Sequence, residues 1–413
     1  MSIDSVQLGD IASFIRGITF KPGDVVAPGT PGAIQCMRTK NVQANLDLSD
    51  VWAVDERFVK RPEQILEAGD LLISSANSWN LVGKCSWIPE LDAPSTFGGF
   101  VTALRGDSEV VDRRYLYHWF SRRDTQAAMR SFSRQTTNIA NLDIKRCLEL
   151  SFPLPPLPEQ KRIAAVLDQV DTLRAKRREA ITLLDNLTQS VFLSMFEGVG
   201  EGWIDTTVGD LAAPGESSIR TGPFGSQLLH EEFTESGIPV LGIDNAVQNK
   251  FQWGKRRYIS EEKYLQLSRY TVHPGDLLIT IMGTCGRCAV VPQDIPKSIN
   301  TKHLCCITLD QKNCLPEFLH AYFLMHVDSQ DYLTKNTKGA VMGGLNMGLI
   351  KTLPVRLPPM EIQRSYVMRV RAVSALQDHH RTHLAVLDEL FASLQQRAFS
   401  GTLWDHGGEA DVA

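Results

Sequence analysis

The sequence predicts an α+β protein: two mixed, mainly β domains joined by two long antiparallel coiled-coil helices, with a pseudo-twofold internal repeat. Three observations predict this fold class. The segment LEAGDLLIS at 66–74 returns as VHPGDLLIT at 272–280, so the chain carries the same unit twice. Short β-prone runs separated by Gly, Pro and Asn fill both copies. Each copy ends in a long segment whose apolar residues recur at alternating spacings of three and four.

The repeat also indicates the domain boundaries. LPPLPEQ at 154–160 matches LPPMEIQ at 357–363, a shift of 203 residues. Proline does not fit a helix interior, so the Pro-rich stretch that closes the first copy separates it from the element that follows. We therefore expect a first β-rich domain at 1–153, a linker and central helix at 154–202, a second β-rich domain at 203–356, a linker and C-terminal helix at 357–401, and a tail at 402–413.

Within the two domains the elements are expected in the same order. The clearest strands are expected at 33–37, 70–74 and 100–104 in the first copy and at 238–243, 276–281 and 304–309 in the second. One amphipathic helix is expected near the end of each domain, at 113–130 and at 316–326. The first of these helices has a basic face formed by Arg122, Arg123 and Arg130, and the second has none.

The two long helices are expected to pair with each other. An exposed apolar stripe roughly 55 Å long would not be stable alone. Antiparallel pairing aligns the polar residues at the middle of both seams and places the two domains at opposite ends. The alternative is that each helix packs only on its own domain. The expected seams are Ile163, Val166, Val170, Leu173, Arg177, Ala180, Leu184, Leu187 and Val191, and then Tyr366, Arg369, Val373, Leu376, His380, His383, Leu387, Leu390 and Leu394.

Further apolar residues flank these seams at positions that a two-stranded coil normally fills with charges. The apolar face is therefore too wide for two helices. Either the β-rich domains fold back over it, or partner subunits add helices to make a bundle. We favour partner binding, and the candidate partner-binding residues are Leu167, Ile181, Leu183, Val370, Leu384 and Val386.

Composition limits the possible classes. The 413 residues, 43% hydrophobic and 22% charged, suffice for two or three globular domains. No run of eighteen apolar residues occurs and the start MSIDSVQLGD is unlike a signal peptide, so we expect a cytoplasmic protein with no membrane partner. Eight irregularly spaced cysteines favour reduced thiols. A net charge of −4 excludes a uniformly basic nucleic-acid coat but permits local basic patches.

No catalytic residue and no metal ligand is expected. The chain lacks GxxxxGK[ST] and lacks the Asn/Asp-Pro-Pro-Tyr/Phe motif of DNA amino-methyltransferases. Cys285 and Cys288, with Cys305 and Cys306, imitate a zinc site, but the counterpart of Cys285 in the first copy is Val82. The histidines at 379, 380 and 383 lack the carboxylate of an HExxH motif, so we expect polar packing in the seam.

The remaining polar residues suit recognition. Loops at similar places in both domains are dense in side chains that can hydrogen-bond base edges or phosphates. Each loop alone is also compatible with a solvated turn. The candidate DNA-binding residues are Arg16, Arg38, Lys40, Asn41, Ser75, Asn77, Trp79, Asn80, Lys84, Arg134, Gln135, Thr136 and Asn138 in the first domain, and Arg220, Ser226, Gln227, Asn245, Lys255, Arg256, Arg257, Thr284 and Arg287 in the second.

These patterns resemble the specificity subunit of type I restriction-modification systems over essentially the whole chain. The resemblance is carried by LPPLPEQKRIAAVLDQVDTLRAKRR at 154–178 with its weaker echo at 357–373, and by GPFGSQL at 222–228 with GIPVLGIDN at 237–245. It departs at the second helix entry, where Met360, Glu361 and Ile362 replace Leu-Pro-Glu.

The resemblance implies a function. Two target-recognition domains would each read one half of a gapped, asymmetric site in double-stranded DNA. The helices would set the gap and dock two methyltransferase subunits, which motor-nuclease (restriction) subunits then join. No cofactor is implied in this chain, and S-adenosylmethionine and ATP would belong to the partner subunits. Two other functions stay open: the specificity subunit of a restriction-methylation enzyme outside type I, and a coiled-coil scaffold whose β domains bind ligands other than DNA.

Overall fold

A computed structural model of the chain describes residues 4–135, 139–198, 200–337 and 345–404. The chain divides into two compact units. Unit 1 comprises Met1–Arg178 and Thr382–Ala413, and unit 2 comprises Glu179–Arg381. Each unit therefore contains one β-rich domain together with a part of each long helix.

Unit 1 contains a four-stranded antiparallel sheet of order β2-β10-β6-β8 and a second sheet of order β3-β5-β4-β9, in which β4 and β9 run parallel. The strands are β1 (Ser5–Gln7), β2 (Ala12–Arg16), β3 (Val25–Val26), β4 (Ala33–Met37), β5 (Trp52–Asp55), β6 (Leu71–Ser74), β7 (Ala76–Asn77), β8 (Cys85–Trp87), β9 (Ser95–Phe97), β10 (Val101–Gly106), β11 (Arg134–Gln135), β12 (Ala140–Asn141) and β13 (Ser151–Pro153). The helices are α1 (Arg113–Phe120), α2 (Arg123–Ser131), α3 (Ile144–Leu148) and the long α4 (Leu157–Phe196), which continues into unit 2.

Unit 2 repeats this arrangement, with one sheet of order β15-β22-β19-β20 and another of order β17-β16-β21-β18, in which β16 and β21 run parallel. The strands are β14 (Ile204–Thr207), β15 (Ile219–Thr221), β16 (Ile238–Leu241), β17 (Tyr258–Ile259), β18 (Thr271–Val272), β19 (Leu277–Thr280), β20 (Cys288–Val290), β21 (Ser298–Asn300), β22 (Leu304–Ile307) and β23 (Pro354–Leu357). The helices are α5 (Glu261–Gln266), α6 (Pro316–Met325), α7 (Val327–Thr337), α8 (Met347–Lys351) and the long α9 (Met360–Ser400), which continues into unit 1.

The repeated LLI sequence forms one of the two inner strands of each antiparallel sheet. In unit 1, Leu71 and Ile73 of β6 pack with Tyr115 on one face, and Leu72 packs with Phe97 on the other. In unit 2, β19 likewise sends alternate residues into two separate clusters. A strand buried on both faces reads as a continuous apolar run. The fold class predicted from the sequence is therefore confirmed, and the six expected strands lie within two residues of their expected bounds.

The sequence prediction of a single helix at 113–130 is wrong. The chain forms α1 and α2 there, separated at Ser121 and Arg122, and Arg122 is extended with φ −61° and ψ 145°. The corresponding helix of unit 2 is α6, as expected from 316–326. The sequence did not reveal the break, because residues 113–130 contain no proline or glycine that would mark a helix end.

A repeated glutamine fixes each long helix to its own domain. The Oε1 atom of Gln160 accepts a hydrogen bond from the backbone N–H of Asp112 (2.8 Å), and its amide donates to the carbonyl oxygen of Pro155 (2.8 Å). Gln363 makes the same two contacts, to Leu315 (2.8 Å) and to Pro358 (2.9 Å). Both glutamine side chains are fully buried. These bonds explain why LPPLPEQ and LPPMEIQ both end in Gln.

Within unit 1, the first part of α4 packs against the last part of α9. The Nε of Arg174 lies 2.6 Å from the Oδ1 of Asp388, and the guanidinium of Arg174 stacks over Phe391. Further towards the start of α4, Arg162 stacks on Trp404, which follows α9. Residues nearer the start of α4 thus contact residues nearer the end of α9. The two helix segments are antiparallel in this unit.

Unit 2 contains the complementary helix parts, and they are antiparallel as well. The amide of Gln377 donates to the Oδ1 of Asp185 at 2.8 Å. Near the end of α4, Phe192 and Phe196 pack edge-on against Tyr366, close to the start of α9. Helix pairing is therefore observed in both units, in addition to the contacts that each helix makes with its own domain.

The seam predicted from the sequence is only half right. In α4, every second expected position is correct, but the positions between them lie one residue later. Leu167 is fully buried and Arg174 points inward, whereas Leu173 and Leu187 are 43% and 45% exposed. The same shift occurs in α9, where Gln377 is buried. There the expected seam residues Leu376 and Leu390 are 46% and 44% exposed.

No helix among the described residues is long and apolar enough to cross a membrane.

Candidate nucleic-acid interface

The loops that follow four strands of unit 1 meet at one edge, here called the first edge (residues 16–20, 37–43, 74–80 and 97–101). The backbone N–H of Gly98 donates to Met37 (2.9 Å), and that of Ile18 donates to Phe97 (2.8 Å). The carbonyl oxygen of Phe100 accepts from Ser75 (3.1 Å). Loops from separate parts of the sequence are thus held in one frame.

The first edge displays several of the residues expected from the sequence. Arg16, Lys40 and Asn80 are exposed, and Trp79 is 40% exposed. Lys84, which directly precedes β8 and is half-buried, donates to the Oε1 of Gln43 at 2.5 Å. Flexible cations beside an aromatic ring are the side chains that phosphates and bases contact.

Two of these cations have an acidic partner. Arg38 stacks over Trp52, with 3.9 Å to the ring centre, and its Nη2 lies 2.9 Å from the Oδ2 of Asp50. The Nζ of Lys40 lies 2.5 Å from the same oxygen. Hydrogen bonds from Lys40 and Arg38 lower the pKa of Asp50. Arg38 is therefore held in place, while Lys40 stays exposed and can exchange this partner for a phosphate.

Asn41 and Asn245, expected to bind DNA, instead shape the loops. Both side chains are buried. The Oδ1 of Asn41 accepts from the backbone N–H of Arg38 (2.7 Å), and its Nδ2 donates to the backbone carbonyl oxygen of Asp47 (2.7 Å). Asn245 repeats this pattern with the N–H of Gly242 (2.8 Å) and with a later carbonyl oxygen. A side chain whose groups are used internally in both copies has none left for a base.

The structure describes some, but not all, of the remaining residues predicted to bind DNA in the first domain. The side chain of Arg134 is 85% exposed and pairs with Asp143 at 3.0 Å. Gln135 lies on β11, and Ser75 and Asn77 are half-buried within the first edge. Thr136 and Asn138 lie outside the described residues.

In unit 2 the equivalent loops form a second edge (residues 221–227, 241–245, 280–287 and 300–304). The N–H of Thr301 donates to Leu241 (2.9 Å), and the N–H of Gly222 donates to Thr301 (3.3 Å). The N–H of Ile281 donates to His303 (2.9 Å). Because strand registers match between the units, the residues at the strand ends of the second edge have structural counterparts in the first.

Several of the predicted residues are exposed at or near the second edge: Ser226, Lys255, Arg256, Arg257, Thr284 and Arg287. Arg256 stacks over Trp253, with 4.8 Å to the ring centre. Gln227 is exposed too, but its Oε1 accepts from the backbone N–H of Phe224 and the hydroxyl of Tyr270, both at 3.0 Å. Most of this group therefore remains available to a ligand.

Arg220 must be removed from the predicted surface. Its side chain is 8% exposed, and its Nη2 lies 2.7 Å from the Oδ2 of the buried Asp276. In unit 1 the equivalent Asp70 pairs with Arg105, also at 2.7 Å. Arg105 comes from β10, whereas Arg220 comes from β15, the counterpart of β2. The repeat keeps the buried carboxylate and changes the strand that supplies its cation, so sequence comparison of the copies missed the pair.

Sequence reasoning also missed three residues at these edges. Phe100 is 67% exposed at the first edge. At the second edge, burial and then the positive charges of Lys302 and Arg257 lower the pKa of His303. Arg257, Lys302 and His303 therefore form a compact group of basic side chains. The sequence position of Phe100 and His303 could have identified them, because both directly precede the strand that pairs with the LLI strand.

The candidate partner-binding residues separate into three groups. Leu167 is fully buried in the core of unit 1 and is therefore wrong as a partner contact, whereas Ile181, Val370 and Leu384 are half-buried and stay predictions. The remaining two stay exposed: Leu183 at 60% and Val386 at 59%. They are equivalent positions of the two helices. Among the described residues, no group of three or more His, Cys, Asp and Glu is placed to hold a metal ion.

The chain thus contains one domain twice, with different side chains at the equivalent edge, and each copy is followed by a long helix. This arrangement defines a modular recognition protein with two recognition domains. The chain belongs to the type I restriction modification DNA specificity domain family, whose model matches residues 3–183 and 219–388.

Individual relatives span nearly the whole chain. The specificity subunit of type I restriction enzyme EcoKI from Escherichia coli (strain K12) is 25% identical over 423 residues, covering 95% of this chain and 87% of the relative. The EcoBI specificity subunit from Escherichia coli is 23% identical over 431 residues, covering 96% and 85%. The fold is that of the type I restriction-modification S subunit from M. genitalium, with a TM-score of 0.59, 15% identity and 96% coverage of both chains.

Proposed function

We propose that this chain is the DNA-specificity subunit of a cytoplasmic type I restriction-modification complex, and that the first and second edges each read one half of a bipartite, gapped site. The observation that carries the proposal is one backbone frame bearing different side chains in the two copies. Reading an asymmetric site requires this combination, because the shared backbone frame holds each loop against the DNA and the differing side chains distinguish the bases. The equivalent pairs are Arg16 and Thr221, Arg38 and Gly242, Lys40 and Asp244, Lys84 and Arg287, and Phe100 and His303.

The helices support the proposal of two methyltransferase partners. Three exposed apolar residues of the helix pair in unit 1, Leu173, Val386 and Leu390, recur in unit 2 as Leu376, Leu183 and Leu187. Unit 2 also exposes Leu193 and Met368, whose counterparts in unit 1 are Gln396 and Ala165. Each member of one set is equivalent to a member of the other, at a shift of 203 residues. Three large apolar side chains exposed on a helix pair are typical of an interface. Because each unit presents the same set, one copy of the same partner would dock on each.

The chemistry would then belong to the partners. The methyltransferase subunits would bind S-adenosylmethionine, and the restriction subunits that join them would use ATP to move on DNA and cut it. This chain would contribute sequence discrimination, and its helices would set the gap between the half-sites. Buried thiols support a passive role for the cysteines, since burial raises the pKa of Cys305 to about 12.

Mapping methylated adenines tests the proposal directly. Cells that express this chain with its methyltransferase subunit are expected to methylate one bipartite sequence with a fixed gap. Replacing residues 1–153 with those of a relative is expected to change one half-site and leave the other intact. Methylation by the purified chain without a partner would contradict the proposal, as would a domain exchange that changed both half-sites.

A further inference from the structure

The ring of Phe100 is the most conspicuous apolar group at the first edge. It is 67% exposed, and it belongs to the short turn that links β9 to β10. Burying a phenylalanine side chain stabilises a protein by roughly 1.5–3 kcal/mol. Leaving this ring in solvent at a proposed DNA-reading surface therefore forgoes stability that folding could have gained.

The exposure does not arise from a loosely held loop. The carbonyl oxygen of Phe100 accepts two backbone hydrogen bonds, from Ser75 (3.1 Å) and from Ala76 (3.2 Å). The turn is closed by the N–H of Val101, which donates to Gly98 at 3.0 Å, and Gly98 itself donates to Met37 at 2.9 Å. The turn at Phe100 is thus held by two neighbouring segments and by its own closing hydrogen bond, and the ring projects from a rigid frame.

The surroundings of the ring are basic and polar. The first edge also carries the exposed cations Arg16 and Lys40, and the register places Arg16 opposite Thr102, two residues beyond Phe100. Exposed rings among cations, here Phe100 with Trp79 at the same edge, match the major groove of DNA. There, phosphates line both sides, and the 5-methyl group of thymine is the apolar feature of the base edges.

The second copy of the domain changes the chemistry at this position. The residue equivalent to Phe100 is His303, which follows Lys302 and lies near Arg257. The backbone hydrogen bond to the neighbouring strand end is retained, since the carbonyl oxygen of His303 accepts from Ile281 at 2.9 Å. One fixed position therefore carries an apolar ring in one unit and an imidazole in the other. This is expected of a position that discriminates bases.

We propose that Phe100 is a specificity-determining residue that contacts the 5-methyl group of one thymine in the half-site read by the first edge. The proposal rests on the proposed function of the chain. It assigns to Phe100 an apolar contact in the major groove, which requires the methyl group and does not require unstacking of the bases.

The test uses the complete complex of this chain with its methyltransferase subunits and a duplex of the mapped site. Each thymine of the first half-site is replaced in turn by uracil, which removes only the methyl group. One replacement is expected to weaken binding by the unaltered complex about fourfold, the effect of one buried methyl-sized group. Phe100→Ala is expected to weaken binding to the thymine duplex by at least the same factor, and to show no further loss at that uracil. Phe100→Leu is expected to retain most of the discrimination.

His303→Ala is the matched control, since it changes the equivalent position of the other unit. Its effect is expected to add to that of the uracil rather than replace it. The proposal is overturned if Phe100→Ala leaves affinity unchanged. It is also overturned if this variant weakens thymine and uracil duplexes equally, as a wedge between base pairs or a structural role would do. A complex that methylates no bipartite site at all would instead refute the proposed function.

Discussion

Two arginines with the same sequence-based prediction have opposite structural positions. Arg220 is buried against Asp276, whereas Arg287 is exposed at the second edge. A buried ion pair that loses one partner leaves an uncompensated charge, which costs about 3–5 kcal/mol. An exposed side chain away from such contacts changes stability by roughly 0.5 kcal/mol or less.

Arg220→Ala is therefore expected to lower the free energy of unfolding by about 3–5 kcal/mol, and Arg105→Ala is expected to have a similar effect in unit 1. Arg287→Ala is expected to leave stability nearly unchanged and to weaken DNA binding by about 1–3 kcal/mol if this side chain reads guanine. Chemical denaturation and binding titrations of the assembled complex measure the two effects. Equal loss of stability in Arg220→Ala and Arg287→Ala would contradict the assignment.

His320 gives unit 2 a defined pH dependence. Its Nε2 atom lies 3.0 Å from the carbonyl oxygens of both Asn249 and Cys288. Burial of the ring lowers its pKa, despite these two hydrogen bonds. Below the ordinary histidine pKa of about 6.5, the unfolded chain binds a proton that the folded chain does not, so stability falls as the pH decreases through this range.

His320→Gln is expected to reduce the slope of the stability profile below about pH 6.5, because one group that takes up a proton on unfolding is gone, while His303 and His326, whose pKa values burial also lowers, keep the rest of the slope. The measurement is denaturant unfolding of both proteins between pH 7 and pH 5. His230→Gln is the control, since this histidine is exposed. A profile that keeps its full slope in His320→Gln would show that other groups determine the acid response.

At the scale of elements, the sequence predicted the helices but not which side faces inward. Adjacent apolar residues, such as Val166 with Leu167 and Ala180 with Ile181, allow two seams that differ by one residue. The structure selects the seam that places Arg174 inward, where Asp388 and Phe391 satisfy it. A polar residue at a seam position hides the apolar period on which the prediction depends.

Because this seam leaves several leucines exposed, it predicts where the partner subunits bind. Leu183→Ser with Leu187→Ser in unit 2 is expected to remove one methyltransferase subunit from the complex without unfolding the chain, because both side chains are exposed. Val386→Ser with Leu390→Ser is expected to remove the other, and all four changes to remove both. The mass of the co-purified complex measures this stoichiometry.

Asn186→Ser with Gln189→Ser is the matched control, since both residues are exposed polar positions of the same helix. This variant is expected to keep two partner subunits. If the leucine variants also kept two, the methyltransferase would dock elsewhere.

At the scale of the whole molecule, the repeat was predictable because glycine, aspartate and glutamine recur where backbone geometry demands them. Gly69 and Gly275 adopt φ values of 92° and 81°, a region that other residues rarely enter. The edges were predictable as loops, since polar residues follow each strand. Which edge side chains are buried was not predictable. Arg220 is held by Asp276, which lies 56 residues later, and Asn41 turns inward to backbone groups of its own loop, which a surface-exposed loop asparagine would not do.

The two copies also differ in one reversed ion pair, which bears on whether the domains are interchangeable. In unit 1, Arg114 of α1 pairs with Asp168 of α4 at 2.6 Å. At the equivalent positions of unit 2, Glu317 of α6 pairs with Arg371 of α9, also at 2.6 Å. Burial alone would raise the pKa of Asp168, but the contacts of His118 and Arg114 outweigh it and lower the pKa. Each domain is therefore matched in charge to the helix that follows it.

A chain with residues 203–356 in place of 1–153 would set Glu317 against Asp168. Like charges replace an ion pair there, so we expect this hybrid to lose roughly 1 kcal/mol of stability, with a lower melting temperature. Asp168→Arg in the hybrid is expected to restore most of the loss, because it recreates the pair of unit 2, whereas the same substitution in the natural chain is expected to destabilise it by opposing Arg114. Thermal unfolding of the four proteins measures the coupling. Equal effects of Asp168→Arg in both backgrounds would show that the reversed pair does not restrict domain exchange.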